Sequence, residues 1–274
     1  MKIIADSCCD MVPAIRNELD VISVPLIMLL EGKEYIDDDN LDLPRFIEDM
    51  RNCKGKIGSS SPPPVSYAGA YSEKDAAFAV TLSSKLSGSY NSAVMGRDFG
   101  EGNNDKIHVF DSKSASAGEI LIVMKLREFI QQGLKKVDII AKTEQFINEM
   151  KTYFAIENVD NLQKNGRLNK VVATIITRMH IRPIMGADGD GNIALFSHAR
   201  GDKQIVEKMT NIIKKSGRET AGERMVITHC NNESLATTLK NEIIKLFNFK
   251  DVFVFPTAGL SSMYVNERGV IMAF

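Results

Sequence analysis

A chain of 274 residues, 44% hydrophobic and 25% charged, has an ordinary globular composition and enough length for one large domain or two modest ones. Its 34 basic and 35 acidic residues leave a net charge of −1, which excludes the basic face of a nucleic-acid binder. Apolar runs such as Ile120 to Met124 stop far short of a membrane span, so no stable membrane insertion is expected. The N-terminus enters a strand without a signal-like leader, and a cytoplasmic location follows as the expectation.

In chain order, Lys2 to Ala5 predicts a strand, and Asp10 to Leu19 an amphipathic helix with Val12, Ile15 and Leu19 on one face. Val21 to Leu30 predicts one buried strand, ended by the turn Glu31-Gly32-Lys33. Asp42-Leu43-Pro44 caps and opens a helix through Met50, and Pro62-Pro63-Pro64 breaks regular structure. Strands at Phe78 to Leu82 and Ile107 to Phe110 then alternate with helices at Ser89 to Phe99, Gly118 to Gln132 and Val137 to Met150. This alternation predicts an N-terminal α/β domain over 1–150, built on a doubly wound, mainly parallel sheet.

The pattern changes near residue 150. Lys151 to Val159 predicts a strand, Asp160 to Lys164 a short helix and Val171 to Met179 another helix. Arg182 to Met185 and Asn192 to Ala199 flank Ala187-Asp188-Gly189-Asp190-Gly191, a hairpin signature. Helices at Asp202 to Ser216 and Ser234 to Phe247 are interleaved with strands at Arg224 to Thr228, Val252 to Phe255 and Val270 to Phe274. These returns predict a C-terminal α+β domain over 151–274 with a mainly antiparallel sheet. The fold class is thus two α/β domains, with their interface the natural place for a ligand.

Four Ser-rich loops carry the functional signal: Asp6-Ser7, Ser59-Ser60-Ser61-Pro62, Ser83 to Ser92, and Asp111-Ser112-Lys113-Ser114. Three of them follow apolar strands directly. In an open parallel sheet the C-terminal strand ends share one edge, and ligands bind there. Hydroxyls and loop amides with few cations among them suit a small anionic head, a carboxylate or a phosphate. Two of the loops also have a plainer reading: Ser capping for Ser83 to Ser92, and a linker for Ser59 to Pro64.

Other chemistries find less support. Ser83 to Ser92 lacks the GK[ST] ending of a phosphate-binding P-loop, and Leu86 stands where a nucleophile elbow needs glycine. His108, His180, His198 and His229 fix no triad with any serine. Asp188-Gly189-Asp190-Gly191-Asn192 imitates a calcium loop, but Ile193 and Ala199 occupy its required Gly and Glu positions. Asp37-Asp38-Asp39 reads as a solvated turn rather than a metal site. Cys8, Cys9, Cys53 and Cys230 form no CxxC or Cys/His ladder, so zinc is not expected and the thiols read as reduced. Cys8, beside Asp6-Ser7, keeps a second reading as a reactive thiol. Asn165-Gly166-Arg167-Leu168 is a Gly-Arg turn, either a simple helix cap or a contact for a partner or anion. The apolar segments Gly118 to Ile130 and Val171 to Ile184 are core, or line a long greasy pocket.

Taken in order, these motifs resemble the DegV family, the fatty-acid-binding (FakB-like) proteins that serve bacterial fatty acid kinase. The resemblance spans the chain. It rests on Asp6-Ser7, Val24-Pro25-Leu26, Ser59-Ser60-Ser61-Pro62, Leu86 to Ala93 and Val109 to Ser116. It continues through Tyr153-Phe154, Leu162 to Leu168, Ile181-Arg182-Pro183-Ile184 and Ala199-Arg200-Gly201. It implies a long-chain fatty acid in an apolar tunnel between two domains, with no cofactor and no catalytic residue. By position, the carboxylate would meet Ser59 and Ser60 on one loop and Ser87, Gly88 and Ser89 on another. The protein would present that carboxylate to a separate fatty acid kinase, with Arg167 as a contact for the kinase. The chain departs from the family pattern near the C-terminus, where Tyr264 falls about where many members have histidine, so either its phenol or a water would take the third polar contact. The alternatives are a Ser-dependent lipid hydrolase and a lipid-sensing regulatory module.

Overall fold

The computed structural model describes residues 1–71, 76–99, 105–168 and 181–274. Four strands form the N-terminal sheet: β1 (Lys2–Asp6), β2 (Val21–Val24), β6 (Ala77–Thr81) and β7 (Ile107–Asp111). Their order is β2-β1-β6-β7 and every pairing is parallel. Successive side chains leave opposite faces of a strand. Ile4, Ala79 and Val109 accordingly meet Tyr67, Tyr71 and Ala93 of α3 (Pro64–Ala70) and α4 (Ser89–Asp98) and the residues after them. Ile3, Ala5, Phe78, Val80 and Phe110 face the other way, into the core built around α5 (Ala117–Gln131).

The second sheet has six strands: β8 (Thr152–Ala155), β9 (Arg182–Ala187), β10 (Ile193–Ala199), β11 (Arg224–His229), β12 (Asp251–Pro256) and β13 (Val270–Ala273). They run in the order β10-β9-β8-β13-β11-β12, antiparallel except for the β11–β12 pair. α8 (Asp202–Lys215) and α9 (Glu233–Leu246) cover one face, where Ile205, Met209, Leu239 and Ile243 pack on Met225, Ile227 and Met272. The opposite face presents Met185, Val226, Ile271 and Ala273 to α5. Helix α5 therefore lies between the sheets, against β1 and β6 on one side and β11 and β13 on the other. This explains its continuous buried run from Ala117 through Val123: a helix enclosed on all sides needs no polar face. α6 (Lys136–Glu149) packs beside it through Ile139, Phe146 and Ile147.

The expected strand over Val21 to Leu30 is two strands. Pro25 has no N–H to continue a ladder, and Leu26 N donates to the Ser7 hydroxyl (3.0 Å) rather than to a strand. β3 (Ile27–Leu30) then joins β4 (Lys33–Ile36) and β5 (Ile57–Ser60) in a separate antiparallel sheet. Ser59 and Ser60, which the sequence left between a linker and a cradle, lie on β5 opposite Met28 and Ile27. Pro62-Pro63-Pro64 breaks the chain as expected, and Pro64 then opens α3 from its first position, where its missing N–H costs nothing. The remaining short helices are α1 (Pro13–Glu18), α2 (Leu43–Asn52), α7 (Asp160–Lys164) and α10 (Gly259–Val265). The helix expected over Val171 to Met179 lies outside the described residues, as does His180. No described helix is long and apolar enough to cross a membrane.

Candidate functional site

The strand order places the ends of β1, β6 and β7 side by side, so three of the four Ser-rich loops share one edge. That edge faces the second sheet through polar contacts that cross between them. Ser83 Oγ donates to Gly191 O (2.8 Å), Ser114 and Thr152 share a hydroxyl bond (2.6 Å), and Ser116 pairs with Thr228 (2.7 Å). Gly191 permits this approach. Its φ is +92°, and a Cβ there would run into the Ser83 hydroxyl and Lys113.

Between these contacts lies a cavity with about 830 Å³ of empty space, its open mouth included. Leu26, Leu82, Leu86, Phe154, Leu162, Ile193, Leu260, Val265 and Ile271 make its wall predominantly apolar. Polar groups enter at a few points. Ser59 and Tyr264 lie together, Oγ to Oη 2.8 Å, although 205 residues separate them. Ser87 lines the cavity from the loop between β6 and α4, where its amide donates to Ser83 O (3.1 Å) and its hydroxyl accepts from Ser89 N (3.2 Å). Arg167 joins the two groups. Its Nε donates to Leu86 O (3.0 Å) and its guanidinium lies 5.8 Å from the Tyr264 ring centre.

The other candidate residues are placed differently. Ser60 is exposed, and it does not line the cavity. Gly88 is exposed at the loop tip, so close to the Ser59-Ser60-Ser61 segment that a Cβ would lie 3.2 Å from Ser61 Oγ. Ser89 is fully buried and turned inward; its hydroxyl donates to Asp6 (2.6 Å) and pairs with Tyr67 (2.6 Å). Its hydroxyl is spent on holding the start of α4. Sequence reasoning missed Ser114, Thr152 and Ser261 as lining groups. Ser114 belonged to a loop already singled out, whereas nothing in the sequence pairs it with Thr152.

Asp6 organises the edge from beneath. It accepts from Cys8 N (3.2 Å), Leu82 N (3.0 Å) and Ser89 Oγ, tying the ends of β1 and β6 to α4. Burial raises its carboxyl to about 6, against the lowering effect of those donors. Burial, and then the charge of Asp6, push Glu119 well above the ordinary carboxylate range. Ligand atoms of Asp6, Cys8 and Glu119 all lie within 4.8 Å of one another. The Asp6 oxygens are already taken by three donors, and Glu119 Oε2 is buried without a hydrogen-bond partner. Burial and the nearby carboxylates also push the Cys8 thiol up, which removes the thiolate that a reactive role needs.

No described histidine lines the cavity. His108 faces Glu144 (3.4 Å), and His229 Nδ1 accepts from Asn232 N (3.3 Å). The site offers hydroxyls, a phenol and a guanidinium around an apolar hollow, which can bind an anionic head with a greasy tail.

Comparison with known proteins agrees with this architecture. A family model described as "Uncharacterised protein, DegV family" matches residues 1–272. A DegV domain-containing protein of Streptococcus pneumoniae is 36% identical, covering 100% of this chain and 98% of its own. Two solved structures superpose with TM-score 0.92 at 33% identity, each covering 100% of this chain and 98% of the other. One is a DegV family protein of Ruminococcus gnavus with vaccenic acid, the other the Streptococcus pneumoniae Fatty Acid Kinase (Fak) B3 protein loaded with linoleic acid. A DegV family protein from Eubacterium eligens loaded with heptadecanoic acid matches at TM-score 0.91 and 28% identity, with 100% and 98% of the chains covered. Matched from end to end in both sequence and fold, this chain belongs to the DegV family.

Proposed function

We propose that this protein binds one long-chain fatty acid between its two α/β domains, 1–150 and 151–274, and presents the carboxylate to a separate fatty acid kinase in the cytoplasm. The observation that carries the reading is the meeting of Ser59, Tyr264 and Ser87 beside one apolar cavity. The acyl chain takes the apolar wall, where each buried methylene contributes about 0.8 kcal/mol. The carboxylate takes the hydroxyls and the phenol, which fix its orientation. Solved relatives that hold vaccenic, linoleic and heptadecanoic acids support the ligand class. The relative named as a fatty acid kinase B protein supports the kinase partner.

In this reading the protein turns nothing over itself and uses no cofactor. Arg167, already anchored to the Ser87 loop, is the residue assigned to contact with the kinase. Replacing Ser87 by Ala removes one donor from a charged head and weakens fatty-acid binding by roughly 1–3 kcal/mol. Calorimetric titration checks this, and unchanged affinity removes Ser87 from the carboxylate site. Ester hydrolysis that disappears in the same variant would instead revive the Ser-dependent hydrolase. A lipid-dependent protein partner without kinase activity would favour the regulatory module.

A further inference from the structure

We propose that Asp37 is a positioning residue for the carboxylate site, acting through the helix that carries Tyr264; this rests on the reading of Tyr264 as a head-group contact. Asp37 opens the run Asp37-Asp38-Asp39, which reads in sequence as a solvated turn. Asp38 and Asp39 are exposed, but Asp37 is only 4% exposed. A buried carboxylate is costly unless donors surround it. Here three do: Gly259 N (2.8 Å) on Oδ1, and Leu260 N (3.1 Å) and Ser7 Oγ (2.9 Å) on Oδ2. Two of these are the leading amides of α10, more than 220 residues away in sequence. That helix has no cap from its own neighbouring side chains; Asp37 takes its first two helical amides, and Asp10 takes the amide of the N-cap residue Ala258 (2.8 Å).

The seat is tight. A Cβ on Gly259 would lie 2.6 Å from Leu41 Cδ2 and 2.7 Å from both Asp37 Oδ1 and Met28 Cε. From that seat, α10 carries Leu260, Ser261, Tyr264 and Val265 into the cavity wall. Tyr264 then meets Ser59, whose strand partner is Met28, one of the atoms against Gly259. Asp37, α10, Tyr264, Ser59 and β3 thus form a closed ring of contacts. A second branch runs through Ser7, whose hydroxyl accepts from the amide of the cavity residue Leu26 (3.0 Å). Asp37 itself does not line the cavity. Its effect on a ligand passes through the direction in which Tyr264 points.

Asp37→Asn keeps the volume but turns an amide NH₂ toward N–H and O–H donors. The test titrates wild type, D37N, Y264F and the double variant with a long-chain acid and with the methyl ester of the same acid. Wild type is expected to prefer the acid. D37N and Y264F should each lose about tenfold in acid affinity, as for one donor to a charged head, with ester affinity within about twofold. D37N added to Y264F should cost nothing more. Gly259→Ala disturbs the same seat from the other side and should repeat the acid-selective loss, so it carries the test if D37N does not fold. Equal loss of acid and ester, or a full further loss in the double variant, overturns the proposal and leaves Asp37 a staple of the fold. If wild type itself binds acid and ester alike, the head-group reading of Tyr264 has failed and the inference goes with it.

Discussion

Replacing Ala115 by Phe is expected to weaken binding of an eighteen-carbon acid by about a hundredfold while sparing acids roughly four carbons shorter. Ala115 lines the cavity and packs against the cluster of Leu26, Met28, Leu82, Leu260 and Met263. An aromatic ring there fills space that the reading gives to the acyl chain. Excluding about four methylenes, at roughly 0.8 kcal/mol each, removes about 3 kcal/mol, which is about two decades in affinity. The polar contacts Ser59, Ser87 and Tyr264 are themselves unchanged in this variant. A chain-length series by calorimetry checks the result. Wild-type affinity for the eighteen-carbon acid in A115F would take the acyl chain out of this cavity.

The second large effect concerns pH. Asp10 is buried, and burial raises its carboxyl from 3.8 to about 7. Its Oδ1 accepts from Ala258 N (2.8 Å), and its other oxygen accepts from the Ser116 hydroxyl. Asp6 is raised in the same direction, to about 6. Between 3.8 and these values the folded chain holds protons that the unfolded chain has released. The stability this contributes is full below pH 3.8 and is lost as pH climbs through about 6 and then 7. For Asp10 alone the difference is on the order of 4 kcal/mol. The lowered carboxylates, Asp39, Asp49, Asp188 and Glu267, act in the opposite sense, but only around and below their ordinary values.

The melting temperature should therefore rise by on the order of 10 °C as pH falls from about 8 to about 5. Asp10→Asn should flatten that slope and melt above wild type at pH 8. The amide oxygen still accepts from Ala258 N, and the NH₂ can donate to Ser116. A wild-type melting temperature that is flat or falls on acidification, with D10N unchanged in slope, contradicts the assignment.

The N-terminal sheet was legible because parallel strands covered on both faces read as unbroken apolar runs, and because βα alternation admits few topologies. The Asp188-Gly189-Asp190-Gly191 turn between two strand-like segments gave the β9–β10 hairpin. What escaped was held by distant partners. β5 is Ile57-Gly58-Ser59-Ser60, too polar to read as a strand, and it exists because β3 pairs with it. Helix α10 has a Ser-rich start, and its first two amides are taken by Asp37 across the fold. The division of Val21 to Leu30 was foreseeable from Pro25, had its missing N–H been weighed above the β-branched run.

The site divides along the same line. Local chemistry picked out the Ser-rich loops, and the family resemblance picked out Ser59, Ser87 and Tyr264 as individual contacts. The pattern could not separate Ser87, which lines the cavity, from Ser89, two residues on, which bonds to Asp6 instead. That choice is made by which way the turn rotates each hydroxyl, and Asp6 and Ser83 take part in holding that turn.

The most direct test of the central claim is mass spectrometry of an organic extract from the purified, undenatured protein. The account predicts one long-chain fatty acid per chain, or stoichiometric uptake of an added one. A protein that carries no lipid and takes up no added fatty acid contradicts it.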